Sequence, residues 1–241
     1  MASLLYKSSI NINDKLLIHI PTVKEIIDNE DDYNSLISLI TATPYSMMVQ
    51  LDDIGVDFTT ITEYELFCSL FEQLKQNDTH LVFENLDLSK FILAQNNDNG
   101  NIILYDPTND ITIDKAIYEQ ICKILCEILH IERINKKPAN EEAKKFMIDR
   151  ARKKQLRTLR KIKNKQFNSQ LEDLIVSLVN TEQYPYNYES TLGLSIYQFY
   201  ASFYQIVKKI KFDNMMIGCY AGTVKMDEIN PKELSWISEK N

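Results

Sequence analysis

"RARKKQLRTLRKIKNK", residues 150–165, holds nine Lys and Arg and no acid, inside a chain whose formal net charge is −7. At 100° per residue, Ile148, Ala151, Gln155, Leu159 and Ile162 fall within a stripe about 80° wide. Arg150, Lys153, Lys154, Arg157, Arg160, Lys161 and Lys165 cover the opposite arc. The spacing predicts one amphipathic helix with a basic outer face, running from about Asn140 to Lys165 behind the break at Pro138. A stripe this narrow suits a helix that meets the body along a seam, or pairs with a neighbouring helix as a protruding hairpin.

Around that helix the charge is segregated. Residues 1–120 hold 20 acids and 6 lysines, so they are net −14 and the remainder is net +7. All five arginines lie between Arg133 and Arg160. With 241 residues and 44% apolar composition, the chain can build a real core. Five glycines and six prolines disfavour turn-dense sandwiches and glycine-cradled nucleotide sites. No apolar run reaches membrane-spanning length, and the N-terminus lacks the charged leader and apolar run of a signal peptide, which leads to an expectation of a cytoplasmic protein. Cys68, Cys122, Cys126 and Cys219 have neither a disulfide framework nor paired zinc spacing. They read as reduced thiols.

Outward from the basic helix the pattern is α+β and predominantly helical, with small β-hairpins and long helices. "SSININDKLLIHIP" alternates about Asn13-Asp14, predicting a hairpin with a two-residue turn. Thr22 with Glu25, and Thr62 with Glu65, have capping-box spacing ahead of helical runs. Thr43-Pro44 should open a helix closed by Gly55. "THLVF", "FILAQ" and "NIILYD" read as short strands, the last two joined by "NNDNG". Long helices follow from Asp114 and from Ser195, and Asn230-Pro231 should start a short one carrying Trp236. The expected organisation is an acidic α+β region over 1–113 and a helical region over 114–241 with the basic helix at 140–165, forming one compact domain.

Catalytic and metal chemistry find little support. Cys122, Cys126 and His130 recur every four residues, but the apolar arc of their helix runs through Ile121, Leu125 and Ile128, which makes the thiols core-edge residues and His130 a surface residue. Gln95 to Asp106 lacks the acidic first ligand and the closing Glu of a calcium loop. Asp52, Asp53 and Asp57, and Asp106, Asp110 and Asp114, read as turn and cap residues. His19, His80 and His130 are scattered. No catalytic, cofactor-binding or metal residues are assigned, no cofactor is expected, and the chain reads as a non-enzyme.

The basic face then has three readings. Clustered Lys and Arg fit phosphate neutralisation, yet no aromatic side chains interleave for base stacking, and the acidic half would repel a polyanion. An acidic protein surface, on a second copy or another partner, fits the opposite charges of the two halves. A solvated helix face is the third reading.

Three stretches, "PTVKEIIDNEDDYNSLISLITATPYSMMVQLDDIGVDFTTITEYELF", "NKKPANEEAKKFMIDRARKK" and "GCYAGTVKMDEINPKELSWI", resemble a family from tailed phages and prophages of Gram-positive hosts, found among tail morphogenesis genes. The resemblance implies a tail assembly chaperone that binds tape-measure and tail-tube proteins in the host cytoplasm and is absent from the finished virion. It supplies no catalytic residues. Under this reading the partners are phage tail proteins, with a homo-oligomer as a further option and no membrane or nucleic acid. A structural tail or baseplate protein is the alternative, with Tyr184, Tyr186, Tyr188 and Trp236 as interface anchors. A nucleic-acid-binding phage protein is the third.

Overall fold

The computed structural model describes residues 4–84, 86–96, 100–163, 169–225, 229 and 236–237, and the side chains of 161–163 lie outside that description. The described residues form ten α-helices and two small antiparallel sheets, an α+β arrangement dominated by helix.

The first sheet pairs β1 (Ser9–Asn11) with β2 (Leu17–His19) in the register Ser9↔His19, Ile10↔Ile18 and Asn11↔Leu17. That register is centred on Asp14, and the Ile12 and Asn13 amides both donate to the Leu16 carbonyl, so the predicted two-residue turn is a longer loop. The longer loop lets Leu16, Ile18 and Ile20 all reach the core. Thr22 caps α1 (Val23–Asp28) through the expected box with Glu25, and the chain breaks at Asn29 before α2 (Glu30–Ile40). The helix expected from Pro44 begins later, as α3 (Met48–Asp53), because Thr43 and Ser46 satisfy each other's backbone in a turn. Gly55 stops it at φ 74°, where only glycine is unstrained. Thr62 and Glu65 box α4 (Glu63–Ser69), which breaks at Leu70 and continues as α5 (Phe71–Leu74).

"THLVF" is not a strand. Leu81, Val82 and Phe83 are all buried instead of alternating, and the Val82 and Phe83 amides turn back onto the Thr79 carbonyl. The second sheet has the order β3 (Ile92–Gln95), β4 (Ile102–Asp106) and β5 (Ile111–Ile113). β5 is a strand that the sequence pattern did not mark out from the turn beside it. Asp106 closes that turn by accepting the Thr108 and Asn109 amides, and Asp114 caps α6 (Lys115–Leu129), as turn and cap chemistry requires.

α7 (Glu141–Lys163) follows an Asn140 whose side chain accepts the Ala143 amide. The remainder is α8 (Gln170–Val179), α9 (Tyr188–Leu192) and α10 (Ile196–Tyr220), the last capped by Ser195 with Gln198. The short helix expected after Asn230 lies outside the described residues.

Two apolar clusters hold this together. The larger joins Leu16, just before β2, and Ile18 of β2, Leu36 of α2, Phe71 of α5, Ile121 and Leu125 of α6, Ile175 of α8 and Phe199 of α10. The smaller gathers Met48, Val49 and Leu51 of α3 with Phe58, Leu66, Leu70 and Ile148 of α7. α7 and α8 therefore bury their residues in different clusters.

A candidate docking face on the basic helix

Along α7 the environment changes abruptly. Ile148 is buried in the smaller cluster, with Met147 and Ala151 half-buried beside it, so the predicted seam is real over the first half of the helix. From Lys153 to Arg160 every residue is exposed, on all sides of the helix. Leu159, only about 20° around from Ile148 on the helical wheel, is 49% exposed, and Leu156 is 50% exposed. The apolar stripe thus continues past the edge of the body it was packing against.

Two bases of the first half are tied to the body. Lys144 places its ammonium 2.7 Å from Asp57, whose carboxyl is lowered to about 2 by that hydrogen bond and by the Thr59 amide and hydroxyl. Arg152 reaches Asp52 at 2.9 Å and Asp53 at 2.5 Å. Just before the helix, Arg133 pairs with Glu63 at 2.9 Å and donates to the carbonyls of Thr41 and Ala42, which closes the C-terminus of α2. These ties join the basic segment to the acidic half of the same chain. Sequence reading placed Asp52, Asp53 and Asp57 only in turns; partners some 90 to 100 residues away in sequence leave no local signal.

Arg150, Lys153, Lys154, Arg157 and Arg160, by contrast, are exposed and form no ion pair with a described partner. The side chain of Lys161, and Lys165 altogether, lie outside the described residues. Five of the seven residues assigned to the basic face therefore stand together on one free surface.

The proposed aromatic anchors do not stay together. Tyr184 is a core residue, 6% exposed, with its hydroxyl 3.1 Å from that of Thr191; it was expected at an interface because a Tyr-rich loop looks accessible in sequence. Tyr186 packs edge-on against it and is partly exposed, and Tyr188 is 50% exposed at the start of α9. Trp236 packs under the Lys209 ammonium, and its carbonyl accepts the Gln205 amide of α10. Nearby on α10, Val207, Ile210, Ile217 and Tyr220 are exposed.

The remaining candidates are structural in character. Cys122 is buried, its thiol pushed up to about 11 by burial and set 3.3 Å from the Ile40 carbonyl. His130 is not the surface residue expected: it ends α6 at φ 52° with its ring against Tyr197 and Tyr204. Among the described residues no three His, Cys, Asp or Glu side chains converge in a metal-binding arrangement, and no helix is long and apolar enough to cross a membrane.

Residues 161–241, about a third of the chain, match the family model of the YomV second domain, a family of phage and prophage type. No curated protein and no solved structure matches. The matched segment begins inside the projecting half of α7 and takes in α8, α9 and α10; the buried side chains of α8 and α10 share the larger cluster with β2, α1, α2 and α6.

Proposed function

We propose that this is a phage tail-morphogenesis factor, an assembly chaperone that holds the tape-measure protein or tail-tube subunits in the host cytoplasm and is left out of the finished particle. The observation that carries the reading is the free half of α7. Eleven helical residues, 153–163, continue beyond Arg152, and those with described side chains are exposed. They present bases on one side and Leu156 and Leu159 on another. Such a surface can hold a long helical partner reversibly, because exposed charge pairs form quickly, are screened by salt and add little to final affinity. The phage-type match of the C-terminal third agrees with this setting. The protein acts by binding, without a catalytic site or cofactor.

The test compares purified phage particles with infected-cell lysate by mass spectrometry. The protein should be present in lysate and missing from particles. Stoichiometric recovery in particles would replace this reading with a structural tail or baseplate component, for which the exposed Tyr186 and Tyr188 would be anchors. Nucleic acid is disfavoured because the exposed residues 153–160 of the free half include no aromatic on which bases could stack.

A further inference from the structure

A second surface is the electrostatic complement of the free half of α7. The N-termini of α2 and α8 converge on an open concavity of about 700 Å³ lined by Asp28, Glu30, Asp31, Asp32, Glu172 and Asp173, with no Lys or Arg among the described residues of its wall. Carboxylates in a first helical turn compensate the helix dipole, which explains why acids are tolerated there. It does not explain six of them facing one another with no cation among the described residues: none forms an ion pair with a described partner, and of their carboxylates only that of Glu30 has a further described contact, the Leu171 amide at 3.4 Å. Next to the acids, sharing Glu30, lies a second hollow walled by Ile26, Tyr33, Leu129, Ile131 and Leu174. The cleft therefore offers acids beside an apolar wall, and the arm offers bases beside two exposed leucines.

We infer that the free half of α7 of one copy docks in the acidic cleft between α2 and α8 of a second copy. This rests on the reading of α7 as a docking element and names what covers the arm when no tail protein does. Four described bases meet six acids, so each copy covers a patch of uncompensated like charge. Leu156 and Leu159 reach the apolar wall. A tail protein would then have to displace the second copy, which keeps the exposed leucines from nonspecific association in the meantime.

The experiment uses the full chain and two variants, Lys153→Glu/Lys154→Glu/Arg157→Glu in the arm and Asp31→Lys/Asp32→Lys/Asp173→Lys in the cleft. Circular dichroism and thermal melting check that both fold. Sedimentation velocity at low salt should show wild-type self-association, each variant alone should associate at least about tenfold more weakly, and an equimolar mixture of the two should recover it, since juxtaposed like charges oppose docking and the mixture restores opposite ones. Recovery on mixing requires two copies and excludes the arm folding onto its own cleft. A wild type that stays monomeric at low salt, or association unchanged by either variant, overturns the inference, and so does a mixture that fails to recover. If the cleft variant refolds poorly, neutral Asp31→Asn/Asp32→Asn/Asp173→Asn replaces it and should weaken wild-type association in the same direction. Capture of tape-measure protein by wild type, assayed separately, reports on the functional reading: capture with no self-association sinks only this inference, and self-association with no capture sinks only that reading.

Discussion

The two halves of α7 share one apolar stripe and carry bases on both sides of Arg152, and they have opposite fates. In residues 141–152 the apolar stripe is packed by Ile148 and two of the bases, Lys144 and Arg152, are tied to Asp57, Asp52 and Asp53. In residues 153–160 the same stripe and the same kind of bases meet solvent. A helix is rigid over this length, about 1.5 Å per residue, so once its first half is seated the second is carried off the body whether or not anything awaits it. Amphipathicity alone does not distinguish a helix face that is buried from one that is held out. What decides is how far the body extends, and here α3 supplies only six residues of helix for α7 to lie against.

The largest expected effect breaks the seated half. Ile148→Ala removes a buried side chain from the smaller cluster and should cost about 2–4 kcal/mol in chemical denaturation. Leu159→Ala, on the same stripe, should cost less than about 0.5 kcal/mol because the side chain is half-exposed. Equal losses would erase the distinction between the halves.

Next comes the Lys144–Asp57 tie. The folded carboxyl titrates below its ordinary value of 3.8, so its contribution is present above about pH 4 and is lost as pH falls through about 2. Lys144→Met should return the Asp57 carboxyl toward its ordinary value and flatten the fall in stability across that window. The effect should be smaller than that of Ile148→Ala. An unchanged acid limb in urea unfolding at pH 2 to 5 would show that the tie does not hold in solution.

Arg152→Ala should lower stability by no more than about 0.5 kcal/mol, and by less at high salt, since its carboxylate pairs are exposed and screened. Smallest of all should be the stability change from reversing Lys153, Lys154, Arg157 and Arg160 to Glu, within about 0.5 kcal/mol, because these side chains touch nothing described. Their effect belongs to association, where it should be large.

Much of the helical frame could be read from local chemistry. The boxes at Thr22 and Thr62, the caps at Asp114, Asn140 and Ser195, and the stop at Gly55 each act through neighbours within a few residues, so their signal is local. Where the reading went wrong, something distant decided. "THLVF" has strand-forming residues, but burial of three successive side chains and the Val82 carbonyl's acceptance of the His19 amide made it a turn. Tyr184 looked accessible until α9 folded Thr191 over its hydroxyl. The basic arc was legible because periodicity reveals a face. The boundary after Arg152, and the acidic cleft assembled from α2 and α8, were not, because one depends on where a neighbouring helix ends and the other joins residues some 140 apart.

Hydrogen exchange along α7 tests the division most directly. Amides of residues 145–151, seated on α3, should exchange slowly at every protein concentration. Those of residues 153–160 should exchange fast in dilute protein and slow down at high concentration and low salt, when a second copy covers them. If the two halves exchange alike in dilute protein, or if the outer half is already protected there, α7 is not divided into a seated and a docking half and the account fails.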